Sequence, residues 1–90
     1  MAEHGTTTFA VLETIYDHWK SSRVGPTLEE IRGNVNLSSP SAVHFHIKKL
    51  EEEGLVSRIP KKHRSMKPTH KGVRLVDLMR EFDDYNDDES

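Results

Sequence analysis

The chain has 90 residues, one third of them hydrophobic, and a formal net charge of −2, which indicates one small domain with an economical core. It contains no cysteine, so a disulfide framework and a thiolate zinc site are excluded and a reducing compartment is expected. No apolar run approaches the roughly 18–20 residues that cross a membrane, and no signal peptide is recognised, so we expect a soluble intracellular protein with no membrane partner.

The distribution of charge is more informative than its sum. A net charge of −2 argues against a nucleic-acid partner, but residues 55–74 carry seven Lys or Arg and no acid. Residues 77–90 carry seven acids against Arg80 alone. This asymmetry is typical of a basic contact surface followed by an acidic tail. A charged surface that only meets water is the alternative for the basic stretch.

The first element is a helix near the N-terminus. Residues 1–7 are predicted to be disordered, and the threonines at 6–8 supply possible N-caps. Helix 1 is predicted to end at about Ser21. Trp19 is interpreted as a core anchor rather than as a platform for a ligand. The apolar side chains that recur at helical spacing are Phe9, Leu12, Ile15, Tyr16 and Trp19.

A short second helix is predicted after a loop at residues 22–26. Thr27 and Glu30 match the capping-box pattern S/T-x-x-E, which marks a helix start. Its inward side chains are predicted to be Leu28, Ile31 and Val35. A turn at residues 34–38 then leads to the next helix.

Helix 3 lies within LSSPSAVHFHIKKLEEEGLV, residues 37–56, and the rest of the domain is organised around it. Ser39 can cap it, Pro40 can occupy its first position, and Gly54 is expected to end it as a left-handed C′ residue. One face is apolar, with Val43, Ile47 and Leu50. The opposite face carries Ser41, Ala42, His44, Phe45, Lys48 and Lys49. Helices 2 and 3 therefore predict a helix-turn-helix whose second helix touches DNA.

A β-hairpin with a cationic tip is predicted after helix 3. Residues 55–59 include apolar, β-capable side chains that suit a strand, residues 61–65 form a basic turn, and residues 66–69 can return as a second strand. Such a hairpin is the wing of a winged helix. We therefore predict a mainly α fold with a small β-hairpin, a winged helix-turn-helix built from a three-helix core plus the wing.

An additional C-terminal helix is predicted over residues 69–82, completing a domain of residues 8–82. Its apolar stripe comprises Val73, Val76, Met79 and Phe82. The stripe could pair two subunits in a homodimer or cover helix 1 of its own domain, and both alternatives stay open. Residues 83–90 are predicted to be a disordered acidic tail. By mimicking phosphate, this tail could compete for the basic surface.

The exposed face of helix 3 suits the major groove of B-DNA, where bases differ in donors, acceptors and methyl groups. Ser41 and His44 can donate or accept, whereas Ala42 and Phe45 can pack on thymine methyls. None is a bidentate Arg or Asn, so discrimination per position is expected near the low end of about 1–3 kcal/mol. Contacts to phosphates, which position the protein without reading sequence, are predicted for Thr27, Lys48, Lys49, Lys61, Lys62 and Arg64.

Residues of about 8–68 resemble the DNA-binding domain of the LexA repressors. The resemblance is carried by GPTLEEI at residues 25–31 and by the helix 3 segment, in both spacing and residue type. It implies a transcriptional regulator, expected to be a repressor, with helix 3 in the major groove and the wing against the backbone. The positions for which it implies base contacts are Ser39, Ser41, Ala42, His44 and Phe45.

Two departures limit what this resemblance implies. LexA repressors continue into a self-cleaving peptidase domain with a Ser/Lys dyad, and they dimerise largely through it. This chain stops at Ser90 and contains no Ala-Gly pair, the cleavage site of that family. Autoproteolysis is therefore not expected.

Catalytic and metal sites are not predicted. His44 and His46 point about 200° apart on a helix, so they cannot chelate one ion from one face. His46 is expected to form a local bond beside the core. The chain has no Gly-rich phosphate loop and no carboxylate pair separate from its charge runs. We therefore predict no metal, no cofactor and no enzymatic activity.

The favoured interpretation is sequence-specific binding of double-stranded DNA by a transcriptional repressor in the cytoplasm, associated with the nucleoid. The strongest alternative is a protein-interaction module whose basic wing binds an acidic partner, because fold alone does not fix function.

Overall fold

The computed structural model describes the backbone of residues 6–89 and the side chains of residues 7–82. Within this part of the chain the fold is mainly α, with one two-stranded antiparallel sheet. The prediction of a three-helix core plus a wing and an additional C-terminal helix is confirmed. In chain order the elements are α1 Thr6–Ser22, α2 Leu28–Val35, α3 Pro40–Glu52, β1 Val56–Ser57, β2 Lys67–Pro68 and α4 His70–Glu89.

Helix α1 lies at the centre of the domain and contacts α2, α3, α4 and β2. It begins at Thr6, inside the stretch predicted to be disordered, and residues 1–5 lie outside the described residues. Strand β2 buries Pro68, and the other elements contribute to one apolar core. Its members are Val11, Leu12, Ile15, Tyr16, Ile31, Val43, Ile47, Leu50, Val56, Met66 and Val76.

Trp19 does not anchor this core, so that prediction is wrong. The indole is half-buried in the last turn of α1, beside Ile59 and Ser65 of the wing. The Arg23 guanidinium lies 4.5 Å from the centroid of the indole ring, a cation–π contact. A position so near the helix end meets the wing rather than the middle of the bundle.

Local capping residues set both ends of α2, and the capping box predicted for its start is present. The Thr27 hydroxyl accepts from the Glu30 amide at 3.1 Å, and the Glu30 carboxylate accepts from the Thr27 amide at 2.9 Å. This capping box satisfies two amides that have no partner inside the helix. Asn36 ends the helix in the left-handed conformation, with φ of 64°.

The ends of α3 also follow the prediction. The Ser39 hydroxyl accepts from the Ala42 amide at 3.3 Å, and Pro40 occupies the first turn. At the other end Gly54 has φ of 77°. Its amide donates to the Glu51 carbonyl at 3.0 Å, and the next amide donates to the Leu50 carbonyl at 2.9 Å. These two bonds form a Schellman motif, which ends the helix sharply before the wing.

The wing is present, but its strands are shorter than predicted. Val56 pairs with Pro68, and Ser57 pairs with Lys67. Pro60 cannot donate to a ladder, and the loop beyond it is closed instead by one side chain. The Ser65 hydroxyl accepts from the Ile59 amide at 2.9 Å and donates to the Ile59 carbonyl at 3.0 Å.

A close backbone approach sets the position of the wing beside α2. The Gly25 amide donates to the Arg64 carbonyl at 3.0 Å. A Cβ atom at Gly25 would lie 2.1 Å from the Met66 carbonyl oxygen, a distance that no side chain tolerates. The loop before α2 and the return arm of the wing therefore form one packed unit.

The predicted stripe on α4 is not one surface. Val76 is fully buried and Val73 half-buried, whereas Met79 and Phe82 are 40% and 57% exposed. Steps of three residues turn each successive side chain by about −60° around a helix. The stripe consequently drifts from the core to the outside. Its first half covers α1, and its second half does not.

Polar contacts hold α4 against α1. The Arg80 guanidinium donates to Asp17 at 3.0 Å and to Glu13 at 3.2 Å. The Tyr16 hydroxyl donates to the Asp77 carboxylate, and this hydrogen bond raises the pKa of Tyr16.

Helix α4 continues to Glu89, seven residues beyond the predicted end at Phe82. The sequence has no glycine or proline from Val73 to Glu89, so no residue breaks the helix. The backbone is thus helical where the sequence predicts a disordered acidic tail. Among the described residues, none of the helices has both the length and the hydropathy of a membrane span.

Candidate nucleic-acid interface

One face of α3 points away from the core and forms the outer strip. It comprises Ser41, His44, Phe45 and Lys48, which follow one another at i, i+3, i+4 and i+7 and are all exposed. The buried Val43, Ile47 and Leu50 occupy the opposite face, so core packing determines which way the strip points.

Phe45 is the unusual member of the outer strip. Its side chain is 62% exposed, although a phenyl ring gains more free energy from burial than most side chains. The Phe45 and His46 rings are nearly perpendicular, with a centroid distance of 5.2 Å, and the Lys49 ammonium lies 5.9 Å from the Phe45 centroid. An apolar ring is thus presented to the outside with a cation beside it.

The two other predicted base contacts are placed differently. The Ser39 hydroxyl is engaged in capping α3, and Ser39 is half-buried. Ala42 is also half-buried, on the flank of the outer strip. The predicted set therefore divides into three exposed residues and two that border the first turn of the helix.

The two histidines of the His-x-His pattern face different ways. His44 is exposed on the outer strip, whereas His46 is half-buried. The Nδ1 atom of His46 lies 2.8 Å from the Thr8 hydroxyl of α1, so its partner is on another helix rather than local. Among the described residues no three His, Cys, Asp or Glu side chains are grouped to hold a metal.

The wing tip, residues 59–63, is an exposed and mostly cationic loop. Lys61 and Lys62 are exposed, as predicted for phosphate contacts. Ile59 is 57% exposed, and His63 is exposed beside Lys62. The sequence pattern assigned Ile59 to a strand, because nothing local shows that the strand ends at Ser57.

Arg64 does not belong to this exposed tip. Its guanidinium donates two parallel bonds to the Glu30 carboxylate, both at 3.1 Å, and a third to the Gly25 carbonyl at 3.3 Å. Bidentate pairs of this kind hold their geometry well. Arg64 therefore joins the wing to the start of α2.

Glu30 makes contacts beyond the capping box that the sequence pattern predicted for it. Besides capping α2 it receives Arg64, and the His18 Nε2 atom lies 3.5 Å from it. The hydrogen bond from Arg64 is the main reason that the pKa of Glu30 falls to about 2, and the Thr27 amide adds to it. One carboxylate thus connects the end of α1, the start of α2 and the wing.

The start of α2 and the wing enclose a shallow groove. Thr27 and Leu28 line one side of it, and Lys62 and His63 line the other. A second hollow joins the wing tip to Glu51 in the last turn of α3, where Arg58 donates to Glu51 at 2.9 Å. The wing tip therefore lies between the N-terminus of α2 and the C-terminus of α3.

Comparison with known proteins identifies the class of domain. A sequence profile described as the LexA DNA binding domain matches residues 7–65. The chain belongs to the LexA DNA-binding domain family. The matched residues run from the first turn of α1 to the end of the wing loop, so they include the outer strip and the wing tip.

Several LexA repressors are similar in sequence to this member of the family. The LexA repressor of Ligilactobacillus salivarius is 42% identical over 67 residues, covering 74% of this chain and 32% of that protein. The LexA repressor of Oenococcus oeni is 42% identical over 76 residues, covering 84% and 35%. That of Enterococcus faecalis is 38% identical over 68 residues, covering 76% and 32%. The chain spans about one third of the length of these LexA repressors.

Proposed function

We propose that this chain binds double-stranded DNA in a sequence-specific manner and acts as a transcriptional repressor. Helix α3 enters the major groove, and the wing tip contacts the phosphate backbone. The observation that carries this proposal is the outer strip, which combines polar, aromatic and basic groups on a helix whose opposite face is buried. Such a protein is located with the DNA of the nucleoid.

Direct readout is assigned to the exposed part of the outer strip. The major groove of B-DNA admits one α-helix. Ser41 and His44 offer hydrogen bonds to base edges, and the Phe45 ring offers apolar contact to thymine methyls. Ser39 and Ala42 border the same turn, where Ser39 holds the first amides of the helix in place. Contacts of this strength give about 1–3 kcal/mol of discrimination per base pair at most.

Phosphate contacts are assigned to four lysines rather than to the six residues that the sequence suggested. Lys48, Lys49, Lys61 and Lys62 are exposed. Arg64 and Thr27 act indirectly, because their side chains hold the wing and the start of α2 in position. About four neutralised phosphates give a slope of about −3.6 for log K against log salt concentration.

The direct test is selection of bound sequences from random duplexes, followed by affinity measurements at about 0.15–0.2 M salt, where nonspecific attraction fades. We expect an enriched motif and a preference for it over scrambled DNA. Lys20→Ala is the matched control for lysine removal, because Lys20 is exposed on α1 and belongs neither to the outer strip nor to the wing tip. It should bind as the wild type does.

The same experiment decides the alternative of a protein-interaction module. If no motif is enriched and binding vanishes at that salt concentration, the basic wing serves an acidic partner instead.

Removal of residues 83–90 tests the proposed competition by the acidic segment. Tighter DNA binding after truncation supports that competition, and unchanged affinity contradicts it.

A further inference from the structure

His46 lies at the border between the outer strip of α3 and the core. The residue is half-buried, whereas its neighbour Phe45 is exposed and its neighbour Ile47 is fully buried. Successive side chains point about 100° apart around a helix, so His46 stands between the two faces. It is therefore placed to transmit a contact from the packed side of α3 to the outer strip.

The His46 imidazole is held by two contacts. Its Nδ1 atom and the Thr8 hydroxyl share a hydrogen bond of 2.8 Å, which joins α3 to the first turn of α1. Because a hydroxyl can both donate and accept, this bond is available to either neutral tautomer of the imidazole. The imidazole is also nearly perpendicular to the Phe45 ring, with the centroids 5.2 Å apart, a geometry that aromatic pairs favour.

The Phe45 ring is a side chain that needs such a contact. It is 62% exposed, so core packing does not fix its rotamer. Immobilising an exposed side chain only when it binds costs about two- to tenfold in affinity. The ring is immobilised on a sequence whose methyl groups it meets, so this cost lowers affinity for the selected sequence and thereby lowers discrimination. A contact that orders the ring beforehand removes part of the cost.

We propose that Thr8 and His46 are positioning residues for base readout. The Thr8 hydroxyl fixes the His46 ring, and the His46 ring restricts Phe45 to the orientation that meets the major groove. This inference rests on the proposed function and deepens it, since it assigns part of the readout to α1. Neither positioning residue has to touch DNA, because both are half-buried and their polar atoms are engaged with each other.

A second neighbour of the Phe45 ring does not replace this contact. The Lys49 ammonium lies 5.9 Å from the ring centroid, but a lysine side chain is flexible and Lys49 is assigned to a phosphate. Binding to DNA therefore draws this cation away from the ring. The His46 ring is held from within the domain by Thr8, so its contact with Phe45 does not depend on where Lys49 lies.

The test removes the Thr8 hydroxyl and measures discrimination between the selected and the scrambled duplex. Thr8→Val keeps the β-branched shape of the side chain but cannot form the hydrogen bond. Discrimination should fall about two- to tenfold, and by no more than in Phe45→Ala. The slope of log K against log salt concentration should not change, because no cation is removed. Thr8→Ser keeps a hydroxyl and should retain the discrimination of the wild type.

Thr14→Val is the matched control. Thr14 is another half-buried threonine of α1, but its hydroxyl accepts from the Asn34 side-chain amide of α2 at 2.9 Å. This variant therefore also loses a hydrogen bond between helices, without a path to Phe45, and it should discriminate as the wild type does. Equal losses of discrimination in Thr8→Val and Thr14→Val, or no loss in Thr8→Val, would overturn the proposal.

A double variant decides whether Thr8 acts through the Phe45 ring. In a Phe45→Ala background, Thr8→Val should cause no further loss of discrimination, because the group that it positions is absent. Losses that add in the double variant would contradict this chain of contacts.

A measurement without DNA separates this inference from the proposed function. Scalar couplings across the χ1 angle of Phe45 should indicate one rotamer in the wild type and in Thr14→Val, and averaging between rotamers in Thr8→Val. If the chain shows no sequence preference, the proposed function is contradicted, and the couplings still decide whether Thr8 orders Phe45. Couplings that Thr8→Val leaves unchanged would overturn the inference itself.

Discussion

Helices α3 and α4 bury one face in the same core but present different chemistry on the other. The outer strip of α3 is polar and basic around a single exposed ring, Phe45. Helix α4 instead exposes the apolar side chains Leu78, Met79 and Phe82. In both helices the buried face determines which side chains are presented to the outside.

Basic residues of the wing differ in a similar way, because some anchor the wing and others are exposed. Arg64 and Lys62 are two residues apart, yet one guanidinium is bound to Glu30 while the other cation is exposed. Basic residues in one stretch of sequence therefore do not share one task. A count of positive charges overestimates the number of groups that can meet phosphate.

The largest expected effect concerns the buried face of α3. Ile47 is fully buried, so Ile47→Ala should lower the free energy of unfolding by about 2–5 kcal/mol through lost burial and a cavity. The matched control is Phe45→Ala, in the same helix but on the outer strip, which should stay within about 0.5 kcal/mol of the wild type. Urea unfolding measures both. Equal losses would contradict the division of α3 into a structural and a contact face.

The next largest effect on stability is expected where the start of α4 packs against Leu55. Gly72→Ala places a Cβ atom against a backbone carbonyl that cannot move aside, and overpacking of this kind costs about 1–3 kcal/mol. Gly33→Ala in α2 meets nothing within 4 Å, so it should stabilise the domain by about 0.4–1 kcal/mol. Thermal unfolding of the two variants should therefore shift in opposite directions. A neutral Gly72→Ala would show that α4 is not held as described.

The junction between the wing and α2 predicts a pH effect. The pKa of Glu30 is about 2 in the folded chain, below its ordinary value, so the charged carboxylate favours folding at neutral pH. That stabilisation is lost as the pH falls from about 4.5 to about 2. Glu30→Gln keeps the capping box but removes the charge. Urea unfolding should show the wild type more stable than Glu30→Gln at neutral pH, with the two converging in acid; a gap that persists at low pH would exclude the ion pair as its cause.

The smallest expected effect is on the salt dependence of DNA binding, and it distinguishes the exposed wing tip from Arg64, which anchors the wing. Lys62→Ala should reduce the steepness of the salt dependence of DNA binding by about 0.9, the value for one phosphate contact. Arg64→Gln should leave the slope unchanged, because Arg64 is bound to Glu30. Anisotropy titrations at several salt concentrations measure both slopes. A reduced slope for Arg64→Gln would indicate that Arg64 contacts a phosphate.

Features set by neighbouring residues could be predicted from the sequence. The capping box at Thr27, the cap at Ser39 and the end of α3 at Gly54 depend on residues three or four positions apart, and all three are confirmed. The apolar faces of α2 and α3 follow from helical spacing in the same way. The fold class and the outer strip rest on these local signals.

Features set by distant residues could not be predicted. The partners in the pair of Glu30 with Arg64 are 34 residues apart, and those in the pair of Asp17 with Arg80 are 63 apart. No local pattern marks either pair. The prediction of one apolar stripe on α4 failed for another reason. Side chains in a strict three-residue repeat drift around a helix instead of staying on one face.

Competition between the selected duplex and a scrambled duplex tests the central claim most directly, with Phe45→Ala, His44→Ala and Lys62→Ala compared. We predict that Phe45→Ala and His44→Ala each lose about 1 kcal/mol or more of discrimination between the two duplexes. Lys62→Ala should weaken binding to both alike. Loss of discrimination from Lys62→Ala, with Phe45→Ala and His44→Ala unaffected, would contradict the assignment of readout to the outer strip of α3.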